Sequence, residues 1–383
     1  MKNILYIAPY RQKDGWGQAA YNYLQSIIYA KEKLGYSLKI APVYFTGQVW
    51  ESLKTKQKDE LSHLSSFENA NIDKFDTIIQ KGLPESLWYN NNTNNIAITV
   101  LETQNLQHTK NKHILNKFNH ILVPSTVEKT TLQKAGVITN IQNILEPIDT
   151  QEIDNYIQKN HELPRNKYAN YVKFYFIGEF VPRKNIIDLM IAFSLAFKSS
   201  DKTVLFIKTS SSANIEQLNT TLKERFDSLK HGSLNHNIVF LNKRLPREEL
   251  LNLHNVSDIF ICPSQGEAFC IPLAEGMRFG NVPIVVENTG PVSFVNDANG
   301  YIIPAKPEIC LSDDGSATLD TYSSNETWMH PTIYDIVQVL RKARLDLLSN
   351  RDLMLSKKQK ARETTEAFTY QAIGEKICSL EIM

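Results

Sequence analysis

Short apolar runs alternate along this chain with longer amphipathic stretches, and that alternation sets the reading of the fold. Asn3 to Ala8, Leu38 to Tyr44, Thr77 to Gln80, Ile96 to Leu101 and Ile121 to Pro124 are the length of strands and too continuously apolar for a sheet with one wet face. Gln18 to Leu34, between the first two, places Ala19, Tyr23, Ile27 and Leu34 on one stripe and predicts a helix. A second series comes after these: strands at Phe174 to Ile177, Val204 to Ile207, Ile238 to Leu241 and Ile259 to Ile261, with helices from Asn185 to about Lys198, over Ile215 to Lys230, and from near Arg247. Glu146 to Tyr171 is polar, contains Pro147 and Pro164, and predicts the linker between the two series. Pro304 to about Met329 has the composition of a loop, and Tyr334 to Leu348 and Leu353 to Phe368 that of helices. Trp50 to Asn71 is polar and helix-prone and carries no functional signal. Strands alternating with helices predict an α/β fold of two doubly wound, Rossmann-like domains.

Composition narrows the class without naming a ligand. Lys plus Arg is 42 and Asp plus Glu 41 in 383 residues, so no global field draws the chain to nucleic acid or an anionic membrane. No run approaches the ~20 apolar residues of a membrane-spanning helix. The start, MKNILYIAPYRQ, suits a strand better than a signal peptide. Cys262, Cys270, Cys310 and Cys378 are widely spaced and fit no zinc pattern; they are expected reduced, in a cytoplasmic protein.

The densest chemistry lies in DIFICPSQGEAFCIPLAEGMRFG, Asp258 to Gly280. A buried strand is broken by Pro263 to Gly266, Pro272 stands where a first helical residue belongs, and Gly280 where a C-terminal cap belongs. Glu267 in the loop and Glu275 in the helix are carboxylates in small or apolar company, and Glu275 is costly there unless something pairs with it. The backbone N–H groups of Phe269, Cys270 and Ile271 approach the helix start, where partial positive charge favours an anion. The turn therefore offers acceptors for hydroxyls and a backbone cradle for phosphate, the two needs of a nucleotide sugar.

EAFCIPLAE resembles the donor-binding signature E-G-F-G-L-P-x-x-E of the family 4 glycosyltransferases, with Ala268 and Cys270 in place of small glycines. GNVPIVVENTGPVSFVNDANGYIIP resembles the remainder of that family's C-terminal domain. ILVPST and KAGV, from Ile121 to Val137, resemble the family's V-P-S and G-V passage, and AFTYQAIGEKI resembles its closing F-S-W segment with Tyr370 for Trp. The resemblance is strongest from Gly178 to Pro304. It implies the GT-B architecture, two Rossmann-like domains facing a central cleft: residues 1–160 on the acceptor side, 161–345 binding the nucleotide sugar, and 346–383 a terminal helix crossing back to the first domain. It implies a retaining, hexosyltransferase-type enzyme that uses a nucleotide-diphosphate sugar as co-substrate, with no cofactor and no catalytic metal; the absence of an Asp-x-Asp pair agrees.

Site roles come from the same resemblance. Glu275 would hold the ribose hydroxyls and Glu267 a hydroxyl of the donor sugar. The family commonly has G-R-L-x-P-x-K where this chain has Gly178-Glu179-Phe180-Val181-Pro182-Arg183-Lys184. Lys184 matches the Lys; Glu179 stands at the Arg position, and Arg183 is the substitute cation. Two cations at a helix start oppose its dipole, so removing Arg183 is expected to stabilise the empty protein slightly. The same cations form an ordinary solvated basic corner if no anion binds. Gly15 and Gly17, expected just before the first helix, match a Gly-rich loop against the diphosphate, or are a plain glycine turn. Glu102 falls at the carboxyl end of a strand, where ligands gather, and takes the place of a family histidine or is a solvated loop residue. Arg244 and Leu245 lie in the loop that faces the nucleobase in relatives. His108 and His113 are expected on a surface helix. The acceptor is a hydroxyl of a glycan, lipid or protein. A non-catalytic nucleotide-sugar binder, and transfer to a modified base in DNA, stay open as alternatives; nucleic acid is not favoured at this charge.

Overall fold

The computed structural model describes residues 2–43, 61–106, 109–159, 168–209, 220, 224, 237–310 and 325–380. The chain folds as two compact units: residues 1–101, 105–149 and 366–383 form the first, and 102–104 with 150–365 the second.

The first unit is built on a parallel sheet ordered β2-β1-β3-β4-β5-β6, from β1 (Asn3–Ala8), β2 (Ser37–Pro42), β3 (Thr77–Lys81), β4 (Asn94–Ile98), β5 (His120–Val123) and β6 (Asn140–Asn143). Helix α1 (Gly15–Leu34) starts three residues before the predicted position because Asp14 caps it, accepting from Gly17 N at 2.9 Å. Gly15 and Gly17 therefore lie in the first turn of the helix, not in a loop ahead of it. A Cβ on Gly17 would meet the Gln12 carbonyl oxygen at 1.8 Å, so only glycine allows the chain to fold back there. Two short helices, α2 (Thr109–Leu115) and α3 (Thr126–Lys134), connect the later strands, and His113 is exposed on α2; His108 is outside the described residues. The C-terminal helix, α10 (Tyr370–Ser379), packs on α1, where Tyr370 Oη donates to Asn22 Oδ1 at 3.0 Å.

The second unit is also built on a parallel sheet, ordered β12-β11-β10-β7-β8-β9, with three strands laid down before the reversal where the first has two. Its strands are β7 (Val172–Ile177), β8 (Thr203–Thr209), β9 (Ile238–Asn242), β10 (Ile259–Cys262), β11 (Val282–Val286) and β12 (Tyr301–Ile303). Helices α4 (Thr150–Gln158), α5 (Ile186–Ala196), α6 (Arg247–Val256), α7 (Ile271–Arg278), α8 (Ile333–Ser349) and α9 (Arg351–Thr364) belong to it. The core lies between the apolar strands, α5, which is buried along most of its length, and the inner face of α8. Helix α4 falls inside the segment expected to be a linker; Ile153 and Tyr156 are its buried face, and it packs on α6 and α7. The stretch expected as loop after Pro304 contains an antiparallel pair, β13 (Lys306–Ile309) with β14 (Thr327–His330). The predicted helix Ile215 to Lys230 lies almost wholly outside the described residues, as does half of Trp50 to Asn71, residues 50–60; the described half contains a short helix, Ser65–Glu68.

Both sheets switch direction once. The chain adds strands to one side, then returns to the other, and the reversal falls between β1 and β3 in the first sheet and between β7 and β10 in the second. In open α/β sheets the carboxyl ends of the strands at such a reversal frame a crevice, because the two connections leave in opposite directions.

Candidate active site

In the second sheet the reversal brings together the segments after β7 and β10. β7 runs through Gly178 and Glu179, which is exposed, into a 3₁₀ turn, Pro182–Lys184, ending at Asn185 in the left-handed region. β10 runs into Pro263 to Cys270 and then α7. A backbone bond from Gln265 N to Arg183 O, 2.8 Å, ties the two loops together. Gly266 is the point of closest approach: a Cβ there would fall 2.1 Å from the Glu102 carbonyl oxygen and 2.7 Å from the Trp328 ring.

Four of the sequence-predicted residues meet here. Glu267, nearly buried, receives Lys184 Nζ at 2.5 Å and has Arg183 Nη1 at 3.9 Å. Arg183 Nη2 lies 2.9 Å from a Glu102 carboxylate oxygen, and its Nη1 donates to the Gly266 carbonyl. Burial alone would raise the Glu267 carboxyl, but Lys184 and then Arg183 override it and hold it below the usual carboxylate range. Burial likewise works against the Lys184 ammonium, and Glu267 more than restores it. These contacts correct the expectation for Arg183. The cations are matched by two carboxylates rather than left against a helix dipole, so removing Arg183 strips Glu102 and Gly266 of a partner and does not stabilise the empty protein.

Glu275 has the partner its surroundings demanded, and the sequence reading missed it. Arg247 Nη2 lies 2.7 Å from Glu275 Oε1 and 2.7 Å from Glu152 Oε2. His254 Nε2 lies 3.6 Å from Glu275 Oε2, beyond hydrogen-bond length. Burial would raise the Glu275 carboxyl, but the Arg247 charge, helped by His254, brings it to about 2. Arg247 and His254 are seven residues apart on α6, two helical turns, and so share the face toward α7; that spacing, in the helix preceding the motif, was the available signal.

The His254 tautomer is set by its neighbours. Asn281 Nδ2 donates to Tyr175 Oη at 2.8 Å, and Tyr175 Oη lies 2.7 Å from His254 Nδ1. The tyrosine hydroxyl, accepting from Asn281, donates a hydrogen bond to Nδ1 in the tautomer that keeps the imidazole proton on Nε2, the atom that faces Glu275. Burial keeps this histidine neutral by lowering its pKa.

The start of α7 departs modestly from expectation. Ile271 is the first helical residue, so Pro272 is the second, and Cys270 is the residue before the helix. Cys270 has φ +71°, the left-handed region in which glycine costs nothing and a cysteine costs ~1 kcal/mol or more. Ala268 has no such requirement and is buried. Phe269 is buried against Phe294, ring centroids 4.9 Å apart, which pins the loop from behind. Gly280 comes after α7 with φ +81°, as a C-terminal cap. In the loop between β9 and α6, Arg244 is exposed and Leu245 buried. Gly15 and Gly17 belong to the first unit and are not among the residues gathered here.

Residues 158–313 match the family model of group 1 glycosyl transferases. No curated protein sequence matches the chain. Among solved structures, the E. coli trehalose-6-phosphate protein bound with UDP-2-fluoro glucose is similar at a TM-score of 0.65 and 11% identity, covering 100% of this chain and 99% of that one. Sucrose-phosphate synthase from Thermosynechococcus elongatus gives 0.63 and 13%, covering 100% and 98%. Anabaena Alr3699/HepE in complex with UDP and glucose gives 0.59 and 13%, covering 100% and 99%. The fold, two six-stranded Rossmann-like units, is that of the GT-B glycosyltransferases.

Proposed function

We propose that this protein, a glycosyltransferase whose residues 158–313 carry the group 1 glycosyl transferase domain, is a retaining enzyme that moves a hexose from a nucleoside-diphosphate sugar to a hydroxyl acceptor without a catalytic metal. The observation that carries this reading is the pairing at one strand–loop–helix corner: Glu267 against Lys184 and Arg183, and Glu275 against Arg247. Ion pairs of this kind are ready to exchange. A donor pyrophosphate draws Lys184 and Arg183 to itself and frees the Glu267 carboxylate for a sugar hydroxyl. Glu275, held ionised and fixed by Arg247, accepts from the ribose hydroxyls. Charge on the leaving diphosphate grows in the transition state, and pre-placed cations lower its energy more than that of the ground state. Glu102, bound to Arg183, aims that guanidinium and releases it as the phosphate arrives. Among the described residues no side chain at the corner stands out as a nucleophile. Attack of the acceptor on the same face of the sugar, with the leaving phosphate taking its proton, therefore suits the site best.

Similar folds hold UDP and UDP-sugars, so uridine donors come first in the test. The experiment is a thermal-shift panel of nucleoside-diphosphate sugars followed by transfer assays on glycan, lipid and protein acceptors. A ligand at ~100 times its Kd adds ~2.7 kcal/mol of stability. Stabilisation by one donor, with release of its diphosphate persisting in excess EDTA, is the expected result. Activity lost to EDTA and restored by Mg²⁺ or Mn²⁺ would overturn the metal-free mechanism, and a panel without any shift would overturn the donor reading.

A further inference from the structure

The donor corner contains two sulfur atoms that the sugar-transfer reading does not use. Cys262 ends β10 and is buried, and Cys270 precedes α7 and is half-buried. Their Sγ atoms and a Glu267 carboxylate oxygen all lie within 4.8 Å of one another, with Cys262 Sγ 4.0 Å from Glu267 Oε2. Among the described residues this is the one group of three such side chains close enough to share an ion. Ser264 Oγ lies 3.5 Å from Cys262 Sγ on the same loop.

The dimensions fit a thiophilic cation. Zinc binds thiolate sulfur at ~2.3 Å and carboxylate oxygen at ~2.0–2.2 Å, so tetrahedral ligand atoms stand ~3.5–3.8 Å apart. Closing the present triangle to that size moves each atom by about an ångström or less. The charges fit as well. Two thiolates and a carboxylate leave one negative charge on a divalent ion, and Lys184, at 2.5 Å from Glu267, neutralises it in place. Binding to both sulfurs as thiolates releases their two protons. The protein accepts a strained left-handed cysteine at position 270, where glycine would be free of strain.

We propose that Cys262, Cys270 and Glu267 form a binding site for one soft divalent cation of the zinc and cadmium class, and that the bound ion excludes the nucleotide sugar by occupying Glu267. The first half stands on the geometry alone. The second rests on the donor reading above, because Glu267 cannot ligate an ion and receive a sugar hydroxyl with the same oxygens.

The test uses the full chain, reduced with a phosphine, and titrates cadmium while following the thiolate-to-cadmium absorption in the ultraviolet. One equivalent is expected to bind. Cys262→Ser and Cys270→Gly should each weaken binding by at least the ~10–100-fold that even outer-sphere changes cost. The Cys310→Ser/Cys378→Ser double variant should bind as the parent does. Cys270→Gly relieves a strained backbone, so its folding is secure and its result interpretable. Absence of the band in the parent, or its persistence in Cys270→Gly, overturns the site. A donor identified by thermal shift should then raise the apparent cadmium Kd; an unchanged Kd overturns exclusion while leaving the metal site standing, and neither spectroscopic result depends on catalysis.

Discussion

Each unit places a lysine and a glutamate at the reversal of its sheet, and the two pairs lie in different surroundings. In the first, Lys81 ends β3 and its Nζ lies 3.1 Å from Glu146 Oε1, with side chains 1% and 9% exposed. The ammonium sits over the rings of Trp16 and Tyr23, 5.7 and 5.0 Å from their centroids. In the second, Lys184 and Glu267 are 2.5 Å apart but 15% and 8% exposed, beside Arg183 and two thiols. Aromatic rings flank the ammonium of the first pair and leave it 1% exposed. Polar, charged and backbone groups surround the second, which suits the exchange with a phosphate proposed above. Two parallel sheets of different strand order thus each place a lysine–glutamate pair beside a reversal, one against aromatic rings and one among charged and backbone groups.

Breaking the sealed pair should cost the most. Lys81→Met leaves Glu146 buried without its cation and is expected to lose about 3–5 kcal/mol in denaturant unfolding, whereas Lys81→Met with Glu146→Gln should recover most of it. A single variant as stable as the parent would make the first pair as expendable as a surface one.

Lys184→Ala sharpens the contrast from the other side. Removing a charge aimed at the leaving diphosphate is expected to lower kcat ~10²–10³-fold. Its melting temperature should fall far less than that of Lys81→Met, because Arg183 remains beside Glu267. Arg183→Ala, read in the same assays, should lose activity too and gain no stability.

Glu275→Gln should weaken nucleoside-diphosphate binding by ~1.5–3 kcal/mol in calorimetry, the worth of a charged hydrogen bond. Unchanged affinity would remove the ribose role. His254→Phe keeps the ring stacking on Phe279 (centroids 5.6 Å apart) but removes the Nε2–H that faces Glu275. Its effect should appear as a modestly raised donor KM with kcat nearly intact.

The smallest effect is on acid stability. Glu267 and Glu275 both titrate below their ordinary range in the fold, Glu275 at about 2. The unfolded chain therefore takes up protons first, and their contribution, full above the ordinary carboxylate pKa, declines as pH falls through the folded values. His254 adds a slope of the same sign higher up, since its folded pKa lies below the free value and stability is lost as pH drops beneath ~6.5. In Glu275→Gln the acid limb of stability against pH should flatten; a limb as steep as the parent's would place the linkage elsewhere.

The strands were legible because a strand buried on both faces must be continuously apolar, as in Phe174 to Ile177 and Ile259 to Ile261, and that requirement is local. The corner from Asp258 to Gly280 was legible for a similar reason: its prolines, glycines and two carboxylates are bound to positions on one short segment. The sequence could also say that Glu275 needed a partner, from the cost of an unpaired charge among small and apolar residues. It could not say which residue, because Arg247 and His254 reach it from another helix, and their seven-residue spacing puts them on one face without saying what that face meets. Gly15 and Gly17, expected just ahead of the first helix, lie in its first turn because Asp14 caps it, an extent the sequence alone did not give. The surroundings of Lys81 and Lys184 were decided by the tertiary structure, since exposure and partners depend on what packs over a side chain from elsewhere in the chain. The same is true of the meeting of Cys262, Cys270 and Glu267: a loop brings them together, and spacing along the chain does not disclose the distance across it.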